Sequence, residues 1–453
     1  MTIQPDTKAA ANPTKTFFVR MITRDISLED CILDLIDNSV DGAWKCEGSK
    51  PVGLAEGADL QKYRIDIEAL PDHFRIIDNC GGMSLTEAVE HAFSFGRQAT
   101  DKTDDYSIGV YGIGMKRAVF KLGEDIRVRS TFLDDEEMVS FAVPIKVGKW
   151  LENDTPPWDF DLEEDAPLAN PGVEILVHSL TPGAVTSFGN PAFLQNLKRT
   201  IARDYSLHLA RGLTITVNGE IIQGWKIELR QGNDFAPMRI EYQQNIDGSP
   251  VTVEIIGGMA APPPDDVEPD EEDEGDKRFG WYVVCNGRIV LAADKTTISG
   301  WDTDGWPQWH RQYSGFMGVI LFTSANAASL PLTTTKRSVD VSSEIYRQAR
   351  PKMREVTRKW IDYTNIRKQA AEEAKRKEAT AVAVSIQQIP LLDTVRLPTL
   401  VTKPKERVAN VSYSVSLTRL KKLSSSLGNI NLPYRDVGLK SFEYTYDDLV
   451  GGE

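Results

Sequence analysis

The segment DLIDNSVDGA places two carboxylates and an amide at helical spacing. Asp34, Asn38 and Asp41 are three or four residues apart, so they share one face of an α-helix. The amide oxygen of Asn38 is a hard ligand of the kind that Mg²⁺ takes together with phosphates and water. Asp34, one turn earlier, can orient or deprotonate a water beside such a metal. Taken alone, the segment is more typical of a solvated acidic helix face.

A second segment, DNCGGM, follows an apolar run and begins with Asp78. A carboxylate at the end of a strand can accept a hydrogen bond from the exocyclic amine of a planar base such as adenine. Gly82 lets the backbone approach such a base closely, and Met83 comes next. Asp-Asn-Gly-Gly sequences are also common in ordinary turns, which is the better interpretation of this segment alone.

The glycine-rich segment GVYGIGMK, residues 109–116, has the composition of an anion site. Its glycines let backbone N–H groups converge on a phosphate, and the start of a predicted helix adds a favourable field. Lys116 closes the segment. The P-loop pattern GxxxxGK[ST] is absent, and a glycine run by itself is weak support.

The elements around these segments predict a layered α+β domain that ends near residue 200. A helix is predicted at 28–44, with Ser27 as its N-cap and an apolar stripe opposite the carboxylates. Another helix is predicted at 84–93. The predicted strands are 63–69, 73–77, 126–132, 138–143 and 173–178.

The rest of the chain predicts three further regions. We assign residues 1–200 to the first domain, 201–350 to a smaller αβ domain, 351–404 to a charged helix and linker, and 405–453 to a small strand-helix-helix module. Strands of the second domain are predicted at 213–217, 251–257, 280–285 and 316–322. In the last module VSYSVSL alternates like a strand and two helices follow, one of which carries Lys421 and Lys422.

Composition favours a cytoplasmic protein without a membrane anchor. The 453 residues carry a net charge of −14, and an acidic run lies at 262–277, whereas 351–410 is net basic. Four scattered cysteines and five scattered histidines show no metal-binding or disulfide spacing. No apolar stretch approaches the length of a membrane span. The overall charge argues against a surface coated in nucleic acid, while a local contact stays open.

The three segments, in this order and with these gaps, resemble the N, G1 and G2 boxes of the GHKL ATPases (gyrase B, heat-shock chaperones, histidine kinases and MutL), most closely in the MutL-like and MORC-like style. The resemblance implies a Bergerat-type α/β sandwich followed by a transducer-like domain, with ATP and Mg²⁺ as cofactors. It implies that Asn38 binds Mg²⁺ and that Asp78 contacts adenine. The other nucleotide-binding residues it implies are Asp41, Gly82, Met83, Gly109, Tyr111, Gly112, Gly114, Met115 and Lys116.

Two catalytic residues are also implied by the resemblance. Asp34 occupies the position of the general base, where the family generally has glutamate; its side chain is one methylene shorter. The loop ASLPLTTTKRSVD resembles the transducer loop that delivers a lysine to the γ-phosphate, and Lys336 is the candidate, with Arg337 beside it as the alternative cation. Val173 stands where the family often has a threonine.

The function that the resemblance implies is an ATP-dependent homodimeric clamp with slow hydrolysis. It would act on DNA or on a partner protein, for instance in genome maintenance or antiphage defence. The alternatives are an ATP-sensing scaffold that barely hydrolyses, and a chaperone-like ATPase acting on a client protein.

Overall fold

The computed structural model describes residues 13–48, 59–94, 106–108, 113–155, 158–265, 276–303, 305–333, 336–401 and 409–451. The chain divides into two compact units, residues 1–402 and 403–453. Within the described residues, no helix combines the length and the apolar character needed to cross a bilayer.

The described helices and strands are distributed over both units, with α11 and α12 in the second. The helices are α1 (Lys15–Arg24), α2 (Leu28–Cys46), α3 (Leu85–Glu87), α4 (Gly114–Leu122), α5 (Val147–Leu151), α6 (Pro182–Phe188), α7 (Pro191–Asp204), α8 (Ser206–Ala210), α9 (Glu344–Arg367), α10 (Ala371–Glu378), α11 (Leu417–Ser426) and α12 (Tyr434–Leu449). The strands are β1 (Arg64–Leu70), β2 (His73–Asp78), β3 (Gly123–Asp134), β4 (Glu137–Lys146), β5 (Glu163–Glu164), β6 (Gly172–Leu180), β7 (Thr214–Val217), β8 (Glu220–Ile221), β9 (Glu228–Gln231), β10 (Met238–Ile246), β11 (Ser249–Met259), β12 (Gly280–Cys285), β13 (Arg288–Asp294), β14 (Phe316–Thr323) and β15 (Val382–Ser385).

The first sheet has eight strands in the order β5-β4-β3-β6-β2-β1-β7-β8. Its strands pair antiparallel except for β1 and β7, which run parallel. Helices α2 and α4 pack against each other, and their buried apolar residues join those of the sheet in one core. The strand predicted at 213–217 is β7, so the first sheet continues beyond residue 200 and includes a strand that the sequence placed in the second domain.

The second sheet has five strands in the order β10-β11-β14-β12-β13. Every residue of β12 and β14 is buried, which is expected of central strands covered on both faces. Residues such as Tyr282 and Val319 belong to the core of the first sheet, while Trp281 and Ile320 pack with the buried face of α9. The second sheet therefore lies between the first domain and α9.

Two predicted helices differ from the structure in detail. The helix predicted at 84–93 starts as α3, with a capping box between Ser84 and Glu87, and continues as a π-helix at Ala88–Ala92. The charged helix predicted from residue 351 begins earlier, as α9, and contains Pro351 in its interior. It ends at Arg367 and α10 follows.

The second unit contains α11 and α12, as the sequence predicts, but the expected strand is wrong. Residues 411–416 form no strand in the described part of the chain, and all of them are exposed. An alternating pattern becomes a strand only when a partner supplies the ladder of hydrogen bonds. No described strand of this unit offers one, so the likeness to a strand-helix-helix fold is lost.

Candidate functional site

Helix α2 carries the acidic residues and buries almost all of its surface. Ser27 caps it by accepting a 3.0 Å hydrogen bond from the Asp30 backbone N–H. From residue 31 to residue 44 the only exposed side chain is that of Asn38. No described residue hydrogen-bonds to the carboxamide of Asn38. Its oxygen is therefore available to a ligand at this surface.

Asp34 lies one turn before Asn38 and is only 3% exposed. Its Oδ2 atom accepts hydrogen bonds from Arg117 on α4, 2.8 Å from Nε and 2.5 Å from Nη2. Its Oδ1 atom is 3.3 Å from Nζ of Lys336. A Cβ on Gly114, at the start of α4, would lie 3.5 Å from Asp34 Oδ2. The carboxylate is thus held between α2, α4 and a loop of the second domain.

Asp37, the residue before Asn38, is completely buried and forms the centre of a charged network. It accepts a 2.8 Å hydrogen bond from Lys336 Nζ and a 2.7 Å bond from the Tyr205 hydroxyl, and it pairs with Arg288 on β13. Burial alone would raise the pKa of Asp37, but the Arg288 guanidinium and the Lys336 ammonium outweigh burial and hold this pKa below its ordinary value.

The loop that carries Lys336 is anchored by its neighbour as well. Arg337 donates a 2.9 Å hydrogen bond to Glu29 and pairs with Asp30, both in the first turn of α2. Lys336 itself has a φ of 55°, a left-handed conformation that is uncommon for lysine. Lys336 and Arg337 therefore both fix this loop against α2.

The contacting charges around Asp34 and Asp37 do not balance. Three cations, Arg117, Arg288 and Lys336, face two carboxylates. All five side chains are largely removed from water, where electrostatic interactions are strong. The neighbouring Arg337 is in turn paired with Glu29 and Asp30 and lies 3.9 Å from Asp204, so the wider network holds cations and carboxylates in close balance.

Asp78 lies at the end of β2 and is held from three sides. Its Oδ2 accepts a 2.6 Å hydrogen bond from the Ser39 hydroxyl, and its Oδ1 accepts from the backbone N–H groups of Cys80 and Val173, at 2.9 and 3.2 Å. Burial raises the pKa of Asp78 above its ordinary value. Among the described residues Oδ2 has this one partner, so it keeps capacity to accept from a ligand amine.

Close backbone contacts surround Asp78 and require glycine at two positions. A Cβ on Gly82, which has a φ of 73°, would lie 1.9 Å from the carbonyl oxygen of Thr131. A Cβ on Gly172 would lie 2.0 Å from the carbonyl oxygen of Asp78. Neither position can hold a side chain without moving a strand, so both glycines preserve the position of the Asp78 turn.

Comparison with known families decides what this arrangement is. The family model for histidine kinase-, DNA gyrase B-, and HSP90-like ATPases matches residues 26–166. The N-terminal domain is a GHKL-type ATPase domain. The match contains α2, the Asp78 turn and α4, and the mixed α/β layers agree with the predicted fold class. No curated protein matches the chain at a significant level.

Two residues of the ATPase domain hold the segments that flank the glycine run. Asp41 accepts a 2.8 Å hydrogen bond from the backbone N–H of Ile108. Lys116 is buried and donates to the carbonyl oxygens of Ala92 and Ser94, at 2.8 and 2.5 Å. In this structure the Lys116 ammonium therefore binds the end of the π-helix, whereas the sequence predicts it near phosphates.

The remaining predicted residues divide into two groups. The Met83 backbone N–H donates a 2.7 Å bond to Ser130 Oγ, and both Met83 and Met115 pack against the core of the domain. Helix α4 begins at Gly114 without a side-chain cap, so its first N–H groups can serve an anion. Gly109, Tyr111 and Gly112 lie outside the described residues.

A magnesium ion carried by ATP fits the ATPase domain through one residue. Mg²⁺ commonly takes one or two protein oxygens and completes its shell with phosphates and water. The available carboxamide of Asn38 supplies such an oxygen. The described residues contain no group of three or more His, Cys, Asp or Glu that could hold a metal without a nucleotide.

The sequence did not predict five residues of the site, each of which is Asp37 itself or contacts Asp34, Asp37 or Asp78. Asp37 and Ser39 lie inside the DLIDNSVDGA segment, and Arg117 directly follows the glycine-rich segment. Their positions beside the predicted site residues could therefore have indicated a role for them. Arg288 and Tyr205 had no such local signal, because each reaches Asp37 from a distant part of the chain.

Proposed function

We propose that this protein is a Mg-ATP-dependent dimeric clamp that hydrolyses ATP slowly. The GHKL-type domain supports ATP binding and ATP hydrolysis in general. The observation that carries the finer proposal is the reach of Lys336, from the second domain, to Asp34 and Asp37 on α2, at 3.3 and 2.8 Å. A lysine of the second domain thus contacts two carboxylates of the ATPase domain.

Each residue has a distinct role in the proposal. Bound Mg²⁺ would neutralise phosphate charge and orient the reacting phosphoryl group. Asn38 binds that ion, Asp78 accepts from the adenine amine, and Asp34 orients and deprotonates the attacking water. Lys336 stabilises the negative charge that develops on the transferred group.

Exchange of partners by Lys336 explains how nucleotide would drive a clamp. In this structure the ammonium contacts Asp37 and Asp34, at 2.8 and 3.3 Å. A γ-phosphate near the start of α4 competes for the same ammonium, so ATP and ADP favour different positions of the second domain. That difference in affinity is the free energy available for closure. Turnover is slow because the closing step limits it.

The partner acted on is DNA or another protein. The likeness of the motifs to MutL-like and MORC-like ATPases supports DNA, and a role in genome maintenance or antiphage defence follows from that choice. A homodimer that closes when ATP binds is part of the same proposal.

An ATP-sensing scaffold is the second candidate, and one observation favours it. Asp34 is shorter than the usual glutamate, and its Oδ2 is bound by two nitrogens of Arg117. A base must hold its water at about 3 Å from the accepting oxygen. Arg117 occupies the oxygen that would hold this water, which favours binding without hydrolysis.

The two candidates separate in one set of measurements. ATP turnover and ATP affinity are measured for the wild type, Asp34→Asn, Asn38→Ala and Asp78→Ala, with Asp247→Asn in an exposed turn as the matched control. The clamp predicts that Asp34→Asn keeps its affinity and loses about 100-fold or more in turnover, while the Asn38 and Asp78 variants bind ATP weakly.

Each contrary result has a clear meaning. Wild-type turnover by Asp34→Asn excludes this residue as the base. Wild-type affinity in the Asp78 variant excludes the adenine assignment. Tight ATP binding by the wild type with no turnover, with and without DNA, favours the scaffold.

A further inference from the structure

The second unit exposes a large share of the apolar surface of this protein. Nearly half of the large apolar side chains that are exposed among the described residues lie within residues 409–451, less than a tenth of the chain. Within that range, all of which the structure describes, only Ser424 and Val437 are buried. Segments of this size rarely supply a sufficient core of their own and commonly gain one by oligomerisation. Another surface is therefore needed to cover these side chains.

One side of α12 carries a row of four exposed apolar residues, here named the α12 seam. The seam consists of Leu439, Phe442, Tyr446 and Leu449, which are between 50% and 76% exposed. Their spacing of three, four and three residues places them within about 80° of the helix circumference and over roughly 15 Å. Val437, the buried residue of α12, lies about 160° from the middle of the seam. The seam therefore lies on the side of α12 opposite its buried face, with the spacing of a helix–helix contact.

The charges of α12 favour a second copy of the same helix in antiparallel orientation. The first half, residues 434–441, has a net charge of +1, and the second half, residues 442–449, has a net charge of −3. These charges come from Arg435, Asp436 and Lys440 in the first half and from Glu443, Asp447 and Asp448 in the second. An antiparallel copy places each positive half beside a negative half, whereas a parallel copy places the two acidic halves together.

The seam is also complementary to itself under a two-fold rotation. An axis midway between Phe442 and Tyr446 places each Phe442 opposite the Tyr446 of the other copy. The same axis places each Leu439 opposite Leu449. A contact of this kind uses the same surface on both copies and closes at two subunits. The spacing of the seam therefore fits a dimer of this helix.

The apolar area that this unit exposes is close to what a stable dimer requires. A fully buried aromatic side chain removes about 150–250 Å² from water, so covering the α12 seam removes roughly 400 Å² from each copy. The row Val411, Tyr413, Val415 and Leu417 is also exposed and offers a similar area in the same unit. Together the two surfaces approach the roughly 800 Å² per partner that standard interfaces bury.

We infer that the α12 seam binds the α12 seam of a second copy of this chain, antiparallel and without nucleotide. Burial of the four apolar side chains supplies the driving force, and the opposite charges of the two helix halves set the orientation. The closure proposed above requires ATP, whereas this contact holds two copies together in either nucleotide state. The inference therefore goes beyond the proposed function and does not depend on it.

The first test is sedimentation velocity of the full chain without nucleotide, at about 10 μM. The wild type should sediment as a dimer of a 50.5 kDa chain. Phe442→Glu should raise the dissociation constant at least about 100-fold, because a carboxylate replaces an aromatic anchor at the centre of the contact. Tyr444→Glu is the matched control: Tyr444 is an equally exposed aromatic residue of α12 on the side opposite the seam. This control should remain dimeric.

The second test measures the orientation of the two helices. Spin labels are attached to Tyr434→Cys in a Cys46→Ser background, because Cys46 is the exposed native cysteine and the other three are buried. In the antiparallel pair the two labelled positions are separated by about 30 Å. In a parallel pair they would be about 10 Å apart, and that distance would contradict the inferred orientation.

Four results would overturn the inference. These are a wild type that is monomeric without nucleotide, a dimer that forms only after ATP is added, wild-type dimerisation of Phe442→Glu, and equal dissociation of Tyr444→Glu. The first would assign the seam to a different protein, and the second would support the ATP-dependent clamp alone. Phe442→Glu should bind ATP with wild-type affinity. Because assembly is measured without nucleotide, failure here leaves the ATPase proposal intact, and an inactive ATPase leaves this contact testable.

Discussion

Replacing Asp37 by asparagine tests whether the two domains are joined through a buried charge. The substitution keeps the size of the side chain and removes one negative charge at a position with 0% exposure. Arg288, which is 1% exposed, and Lys336, which is 6% exposed, would then lose their common carboxylate. The Tyr205 hydroxyl can still donate to the amide oxygen, so the loss is mainly electrostatic.

The magnitude follows from the burial of the partners. Removing one member of a buried ion pair typically destabilises a protein by about 3–5 kcal/mol, because the remaining charge is left without compensation. Here two cations share the carboxylate, and Lys336 retains Asp34 at 3.3 Å. We therefore expect Asp37→Asn to lower the free energy of unfolding by about 3–5 kcal/mol. Lys336→Met, which leaves the Asp37–Arg288 pair in place, should cost less.

The assay is urea unfolding followed by tryptophan fluorescence, with free energies from linear extrapolation. A double-mutant cycle of Asp37→Asn and Arg288→Met should show a coupling energy of about 1–3 kcal/mol. Once one partner of the ion pair is replaced, replacing the other destabilises the protein less. Asp247→Asn, in an exposed turn, is the matched control. A loss no larger than that of the control, or a coupling energy near zero, would refute the reasoning.

Two further predictions concern pH and close packing. Burial lowers the pKa of His208 to about 4, below its unfolded value, so the folded protein takes up fewer protons and loses stability as the pH falls through this range. Between pH 7.5 and pH 5, His208 should account for about 2 kcal/mol of the decrease in the free energy of unfolding. Urea unfolding of His208→Phe at both pH values should show a decrease smaller by that amount. A decrease equal to that of the wild type excludes His208 as its source. Gly172→Ala would place a Cβ 2.0 Å from the Asp78 carbonyl oxygen, whereas Gly148→Ala meets no atom within 4 Å. Calorimetry should show ATP affinity weakened about tenfold or more by the first change and unaffected by the second, and equal affinities would contradict the assigned position of the Asp78 turn.

The elements around the site could be predicted because their signals are local. Helix α2 has an N-cap, acidic residues in its first turn and an apolar stripe within 19 residues. The strands β2 and β12 are apolar runs bounded by turn residues. The parallel pairing of β1 with β7 has no such signal, since its register joins Arg64 to Thr214. Membership of β7 in the first sheet therefore could not be read from the sequence.

The strand predicted in the second unit is absent from the described residues, and the reason is again that strand formation depends on a partner. VSYSVSL has the alternation that a half-buried strand requires, yet residues 411–416 are exposed and unpaired within the described unit. Periodicity reports which faces a segment would present, and only a neighbouring edge turns that pattern into a ladder. The helices α11 and α12, whose hydrogen bonds are internal, were predicted without this requirement.

The site was predictable to the extent that its residues stand in one segment. Asp34 and Asn38 share a helix face, so their proximity follows from spacing alone. The partners of Asp37 come from 168 and 251 residues away, in Tyr205 and Arg288. These contacts exist because the junction of α7 with α8 and the strand β13 bring Tyr205 and Arg288 to α2, which is a property of the tertiary fold.

The cations that contact Asp34 bear on the role of this short acidic side chain. Its two oxygens face cations from different parts of the molecule: Oδ2 faces Arg117 on α4, and Oδ1 faces Lys336 on the second domain. The helix that carries Arg117 begins at the glycine-rich segment where a phosphate is expected. A phosphate bound there competes with Asp34 for both cations, since guanidinium and ammonium groups pair with either anion. In the proposed clamp, release of Asp34 and capture of the phosphate would be one exchange, and Asp34 would hold the attacking water only when nucleotide is bound. In the proposal, an acid restrained by these two cations would couple hydrolysis to the position of the second domain.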